Sequence, residues 1–120
     1  MLKWLRSNEP GELALPAIVI GELQHGAEMT RKQDPGKAEE IDRWTDRIIR
    51  VWRIVEMDAR IAREWARLMG RRDRTRFEDA MIAATARIHG LVVVTRNTKD
   101  FEGFEVEVLN PFLYAQGKLD

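Results

Sequence analysis

The segment Leu91 to Thr95, four apolar residues followed by a threonine, constrains the fold more than any other part of the chain. Because no polar residue alternates with the apolar ones, we expect a strand that is covered on both faces, as in a parallel sheet. A predicted helix over residues 77–89 leads directly into this strand. Ligands of open α/β sheets bind beyond the carboxyl ends of the strands. Thr95, Asn97 and Asp100 are therefore predicted to lie at a ligand-binding edge.

Other patterns along the chain predict helices that alternate with strands. Apolar residues at helical spacing, with capping and stop residues at the ends, predict helices over 17–29, 37–50, 58–70 and 77–89. Strands are predicted over 12–15, 53–56, 91–95 and 105–109. A short N-terminal helix is expected from three apolar residues, Leu2, Trp4 and Leu5. The alternation indicates an α/β class with a mainly parallel sheet, in one domain spanning residues 1–120.

Composition narrows the possible classes of function. Lys plus Arg and Asp plus Glu both number 20, so the net charge is zero and only local patches bear on nucleic-acid binding. The absence of cysteine excludes disulfides, thiol catalysis and cysteine zinc sites. His25 and His89 alone do not make a zinc site. No apolar run reaches the roughly 18 residues of a membrane-spanning helix, and no signal-peptide core is present, so we expect a soluble cytoplasmic protein.

Three carboxylates stand in surroundings that suggest a site. Glu22 precedes Gly26 by one helical turn, which leaves room for a ligand beside the carboxylate. Asp79 lies on a mostly apolar helix, where a carboxylate is costly to bury unless it is paired or binds a cation. With Asp100 they predict a site for a hard cation and hence phosphate chemistry, although each alone is more often a surface charge or a helix cap. Without metal, at least one is expected to hold a proton at raised pKa.

Two further groups have open alternatives. The basic segment from Arg71 to Arg76 precedes the helix of Asp79, and it either meets nucleic-acid phosphates or forms a solvated loop balanced by Asp73 and Glu78. Asn97 and Thr95 either contact a substrate or hold their loop through bonds to the backbone. Three tryptophans fall at core spacing and are predicted to pack in the interior: Trp44, Trp52 and Trp65.

The ordered set of motifs resembles the PIN-domain ribonucleases, and among them the VapC-type toxins of bacterial toxin–antitoxin pairs. The matching segments are Gly21-Glu22-Leu23, residues 78–86, His89-Gly90-Leu91, residues 94–97, Asp100-Phe101 and Leu109-Asn110-Pro111. The resemblance implies a three-layer α/β/α fold and an endoribonuclease whose bound Mg²⁺ or Mn²⁺ activates a water against an RNA phosphodiester. Glu22, Asp79 and Asp100 are then the expected catalytic metal ligands, with Thr95, Asn97 and Arg76 as substrate-binding residues. A homodimer and a cognate antitoxin partner are also implied.

The chain departs from the family pattern at its start and at Pro16. Family members begin with an apolar strand in the middle of the sheet, and an Asp-Thr-Asn-like motif at its end supplies the fourth acidic ligand. This chain starts at residues that resemble the family's first helix, so we expect a gap in the central sheet and weakened cation binding. Pro16 stands where relatives often have a small hydroxyl residue, and it cannot donate a side-chain hydrogen bond there.

Three explanations account for the expected gap: a start misassigned within a longer reading frame, a decayed gene, or a strand supplied by another chain. We favour the first for the natural gene, and we expect impaired or absent catalysis from the 120-residue chain. The competing hypothesis is a non-catalytic PIN-fold module that binds an antitoxin or another partner protein. A nuclease directed at DNA is a third hypothesis, because RNA and DNA both present phosphates.

Overall fold

Five strands and four α-helices make up the part of the chain that the computed structural model describes, which is residues 3–6, 13–70 and 77–111. In chain order the elements are β1 (Trp4–Arg6), β2 (Leu13–Pro16), α1 (Ala17–Arg31), α2 (Pro35–Val51), β3 (Arg53–Val55), α3 (Ala59–Gly70), α4 (Phe77–His89), β4 (Val92–Val94) and β5 (Val108–Leu109). A turn of 3₁₀-helix, Thr98–Phe101, follows β4. The predicted helices α1 to α4 are confirmed within a few residues at each end.

Local capping explains where the helices begin and end. The Asp34 side chain accepts a hydrogen bond from the backbone N–H of Lys37 at 3.1 Å, and α2 starts one residue after Asp34. Asp58 caps α3 as predicted, because its carboxylate accepts from the backbone N–H of Ile61 at 3.0 Å. Gly90 ends α4 with a φ of 64°, a left-handed conformation that glycine adopts without strain.

The strands form one sheet in the order β3-β2-β1-β4-β5. β2, β3, β4 and β5 share one direction, and β1 runs antiparallel between β2 and β4, with Leu5 opposite both Ala14 and Val93. The mainly parallel α/β sheet is thus confirmed. Two expectations are wrong: Trp4–Arg6 is a strand rather than a helix, and the central position of the sheet is filled. Pairing on both sides satisfies backbone groups of β2 and β4 that a gap would leave without partners.

The helices cover both faces of the sheet, which confirms three layers. Alternate residues of each strand point to opposite faces, so Leu5 joins the cluster of α3 and α4, which includes Ile61 and Ile82. Leu15 joins the second cluster with residues of α1 and α2. Trp4 packs in that second cluster, with its ring centroid 4.5 Å from that of Trp52.

Three details differ from the sequence predictions. Trp44 is 49% exposed, so its predicted place in the core is wrong; the helical spacing puts it at the border of the apolar stripe of α2. Trp52 and Trp65 are half-buried against the two clusters. The last strand is shorter than predicted, because Glu105 takes a positive φ of 55° that interrupts extended backbone. Within the described ranges, no helix combines the length and the apolar character needed to cross a bilayer.

Candidate active site

Two helices carry carboxylates to the carboxyl edge of the sheet. α1 follows β2 directly, so Glu22 lies in its second turn, close to that edge. α4 leads into β4, so its first turn, which contains Glu78 and Asp79, lies at the same edge. The carboxyl groups of Glu22 and Glu78 share a hydrogen bond, and the charge of Asp79 acts on Glu22 as well. The structure therefore brings together Glu22 and Asp79, as predicted, and adds Glu78.

The proximity of these groups changes the acidity of Glu22. The pKa of Glu22 is raised from 4.5 to about 7, most of all by burial, and then by the charge of Glu78, the hydrogen bond with Glu78 and the charge of Asp79. The positive charge of Lys3 acts in the opposite direction. The raised pKa of Glu22 agrees with the expectation that at least one carboxyl of the predicted site holds a proton in the absence of metal.

An ammonium group that the sequence did not predict completes this cluster. β1 pairs Trp4 with Val94, so the preceding residue, Lys3, lies just past the carboxyl end of β4. The Lys3 ammonium forms an ion pair with the Asp79 carboxylate, and these side chains are 14% and 16% exposed. It also lies 5.4 Å from the centre of the Phe101 ring, within the range of a cation–π contact. Both contacts fix the ammonium inside the acidic cluster.

Asp100 approaches from a third element. It is half-buried in the 3₁₀ turn Thr98–Phe101, which packs against α4. Its neighbour Phe101 contacts Lys3, but Asp100 is not among the charges that shift the pKa of Glu22. Within residues 3–6, 13–70 and 77–111, no three acidic or histidine side chains stand close enough to hold a metal ion. Metal ligation by Glu22, Asp79 and Asp100 therefore stays a prediction.

The predicted substrate-binding residues lie in different settings. Thr95 is buried, and its hydroxyl accepts a hydrogen bond from the backbone N–H of Asn97 at 3.1 Å. This bond holds the loop after β4, which is the structural alternative considered for Thr95. Asn97 is exposed at the same edge of the sheet. Arg76 and the rest of the basic segment fall outside the described residues. Substrate contact by Thr95, Asn97 and Arg76 stays a prediction.

A second group of charged residues, the Glu64 network, lies between α3 and the other end of α4. The Glu64 carboxylate accepts hydrogen bonds from Arg87 Nε at 2.7 Å and from Arg67 Nη1 at 3.1 Å. Arg87 also donates to the backbone carbonyl of Glu105 at 2.6 Å. Burial alone raises the pKa of Glu64, but the hydrogen bonds from the two arginines outweigh it and leave the pKa lowered. The arrangement ties α3, α4 and the segment before β5 together.

Comparison with known proteins agrees with this fold. A family model described as PIN domain matches residues 1–105. Among solved structures, FitAB bound to an IR36 DNA fragment is similar at 26% identity and a TM-score of 0.68, over 82% of this chain and 73% of that one. A toxin–antitoxin complex from Klebsiella pneumoniae is similar at 29% identity and a TM-score of 0.60, over 82% and 72% of the two chains. FitAcB from Neisseria gonorrhoeae is similar at 28% identity and a TM-score of 0.61, over 82% and 75%.

A comparison with curated proteins found no match. The family match nevertheless covers most of the chain, and the three structural relatives cover the same three-layer fold. These findings agree with the resemblance inferred from the motifs around Glu22, Asp79 and Asp100. The chain belongs to the PIN domain family.

Proposed function

We propose that this PIN-domain chain is the nuclease component of a VapC-type, type II toxin–antitoxin pair, a metal-dependent endoribonuclease that cleaves RNA phosphodiesters. The observation that carries the proposal is the cluster of Glu22, Glu78 and Asp79 at the ligand-binding edge of the sheet. Burial and the neighbouring like charges at this edge raise the pKa of Glu22, which is a cost that packing alone does not require. Family membership and similarity to toxin–antitoxin complexes support the same conclusion.

The cluster as arranged does not fit a divalent cation. Lys3 is paired with Asp79, and no ligand set of three is present among the described residues. We therefore assign no reaction step to Mg²⁺ or Mn²⁺. The chain's own groups supply two properties: Glu22, with its pKa near 7, can hold or accept a proton at neutral pH, and Lys3 places a positive charge beside the carboxylates. Glu22, Asp79 and Asp100 are the candidate ligands when Lys3 is elsewhere.

The proposal includes partners and a location. A cognate antitoxin is the expected protein partner, because the similar structures include a toxin–antitoxin complex. A homodimer and a cytoplasmic location follow from the resemblance to VapC-type toxins. RNA rather than DNA is proposed as the substrate on the same basis.

Cleavage of a single-stranded RNA in the presence of Mn²⁺ tests the proposal. We expect slow cleavage by the wild-type chain and a loss of roughly 100-fold or more in Asp79→Asn, because the substitution would remove a candidate ligand for the Mn²⁺ that the reaction requires. Asp46→Asn is the matched control, since Asp46 is an exposed aspartate on α2, away from the cluster. Equal cleavage by wild type and Asp79→Asn would contradict the proposed site. No cleavage by any form, with antitoxin binding retained, would instead indicate the non-catalytic module.

A further inference from the structure

We propose that Lys3 is an internal cation that occupies the acidic cluster and excludes a divalent ion, so that the chain inhibits its own site. The proposal rests on the proposed function for its meaning, because exclusion of a cation matters only if the site uses one. Its evidence is independent of that function, since it comes from the position of β1 and from the contacts of the Lys3 ammonium.

The position of Lys3 follows from the direction of β1. β1 is the central strand and the only one of the described strands that runs against the others, so its amino end meets the carboxyl ends of its neighbours. The register that pairs Trp4 with Val94 brings Lys3 level with Thr95. A parallel strand in the same place would present its last residue at this edge. Because the strand is reversed, the residue presented is a lysine.

The contacts of Lys3 match those that a bound cation would make. Its ammonium pairs with Asp79, faces the Phe101 ring at 5.4 Å and lowers the pKa of Glu22. Exposed ion pairs of this kind are weak, but the Lys3 and Asp79 side chains are only 14% and 16% exposed. Loss of either partner would leave a mostly buried charge uncompensated, so Asp79 requires a cation at this place.

Two cations do not share this space. A divalent ion on Asp79 would lie within a few ångströms of the ammonium, and the repulsion between them is strong where water is largely excluded. Occupation by Lys3 and occupation by a metal are therefore alternatives. Lys3 directly precedes β1, so its side chain can leave the cluster while Leu5 keeps its partners on β2 and β4. The arrangement is a reversible exchange of one cation for another.

Mn²⁺ titration by calorimetry on the full chain tests the exclusion. We expect Lys3→Met to bind Mn²⁺ about tenfold or more tightly than the wild type. Lys3→Arg keeps the positive charge and should stay close to the wild type. Lys37→Met removes an exposed lysine on α2 and should also leave the affinity unchanged. Adding Asp79→Asn to Lys3→Met should abolish the gain.

Two results would overturn the proposal in this experiment. One is an equal Mn²⁺ affinity of wild type and Lys3→Met, and the other is a gain that persists when Asp79→Asn is added. Both results concern Mn²⁺ binding and not RNA cleavage, so neither would contradict the proposed nuclease function. Tight Mn²⁺ binding by a folded Lys3→Met chain that still cuts no RNA would instead overturn the nuclease function and leave the exclusion intact.

A measurement on the wild-type chain covers the case in which Lys3→Met fails to fold. Limited acetylation followed by peptide mass spectrometry gives the reactivity of each lysine. Without metal, we expect Lys3 to react more slowly than the exposed Lys37, because its ammonium is held against Asp79. Rising Mn²⁺ should speed acetylation of Lys3 and leave Lys37 unchanged. Equal rates for the two lysines without metal would overturn the proposal.

Discussion

The two ends of α4 hold carboxylates in opposite electrostatic settings. At its carboxyl-terminal end, Arg87 and Arg67 surround Glu64 and lower its pKa. At its amino-terminal end, burial together with the charges of Glu78 and Asp79 raises the pKa of Glu22 to about 7, and one lysine lies among the three carboxyl groups. The ion pairs of the Glu64 network stabilise the folded state, whereas the repulsion of Glu22 by Glu78 and Asp79 destabilises it. Unbalanced charge at the carboxyl edge of a sheet is typical of a functional site, whereas balanced charge elsewhere is typical of a structural one.

The largest effect is expected from breaking the balanced end. Arg87→Met leaves the mostly buried Glu64 with Arg67 alone and removes the bond to the Glu105 carbonyl, so we expect a loss of about 2 to 3 kcal/mol in the free energy of unfolding. Urea denaturation measures this loss. In the control Arg43→Met, the exposed pair with Glu39 is lost, and the cost should stay below about 0.5 kcal/mol. Similar losses in the two variants would show that Glu64 is not held by Arg87.

A smaller change in the free energy of unfolding is expected when one carboxylate is neutralised at either end of α4, and its sign should differ between the two ends. Glu64→Gln should lower the free energy of unfolding at pH 8 by about 1 to 2 kcal/mol, because it weakens two charged hydrogen bonds. Glu22→Gln should raise it by about 0.5 kcal/mol, since it removes a half-buried charge and its repulsion from Glu78 and Asp79. Water that reaches this side chain keeps the gain small. Urea denaturation in EDTA gives both values. If Glu22→Gln instead destabilised the protein, the proposed electrostatic difference between the two ends of α4 would be contradicted.

The smallest expected effect is on the pH dependence of stability, to which Glu22 and Glu64 contribute in opposite directions. The folded-state pKa of Glu22 is raised from 4.5 to about 7. Between these two pH values, Glu22 therefore binds a proton more strongly in the folded state than in the unfolded state. The stability that Glu22 contributes is therefore complete below pH 4.5 and is lost as the pH rises through 7. Glu64 has a lowered pKa, so its contribution is present above 4.5 and is lost as the pH falls through the folded-state pKa. The urea midpoint of wild type minus that of Glu22→Gln, followed from pH 4 to 8 in EDTA, should decline as the pH rises; a flat difference would contradict the shift.

Features that depend on neighbouring residues in the chain were predictable from the sequence. Asp58 and Gly90 mark helix ends through local hydrogen bonds and local backbone conformation, and both were correctly interpreted. Helix α4 was predicted at its exact bounds, because its apolar periodicity runs from Phe77 to His89 without interruption. Glu22 and Asp79 were also singled out by their local surroundings, which are Gly26 one turn after Glu22 and the apolar helix around Asp79, and the structure brings the two close together.

Features that depend on pairing between distant segments were not predictable. Trp4 and Leu5 fit a helix as well as a strand over so few residues, and only hydrogen bonding to β2 and β4 decides for the strand. Lys3 enters the site only through that antiparallel register, so no local pattern indicates it. Glu78 was overlooked as a site residue, although its place next to Asp79 in the first turn of α4 was a usable signal.

The central antiparallel strand also sets an order of assembly. Residues 4–6 are synthesised well before β4, their second pairing partner, and well before the helix that carries Asp79. Contacts between such distant segments form late, because a long loop must close before they gain anything. A nascent chain can thus complete neither the middle of its sheet nor the ion pair of Lys3 with Asp79 before α4 and β4 have been synthesised. The acidic cluster and the lysine that pairs with Asp79 therefore assemble together, late in folding.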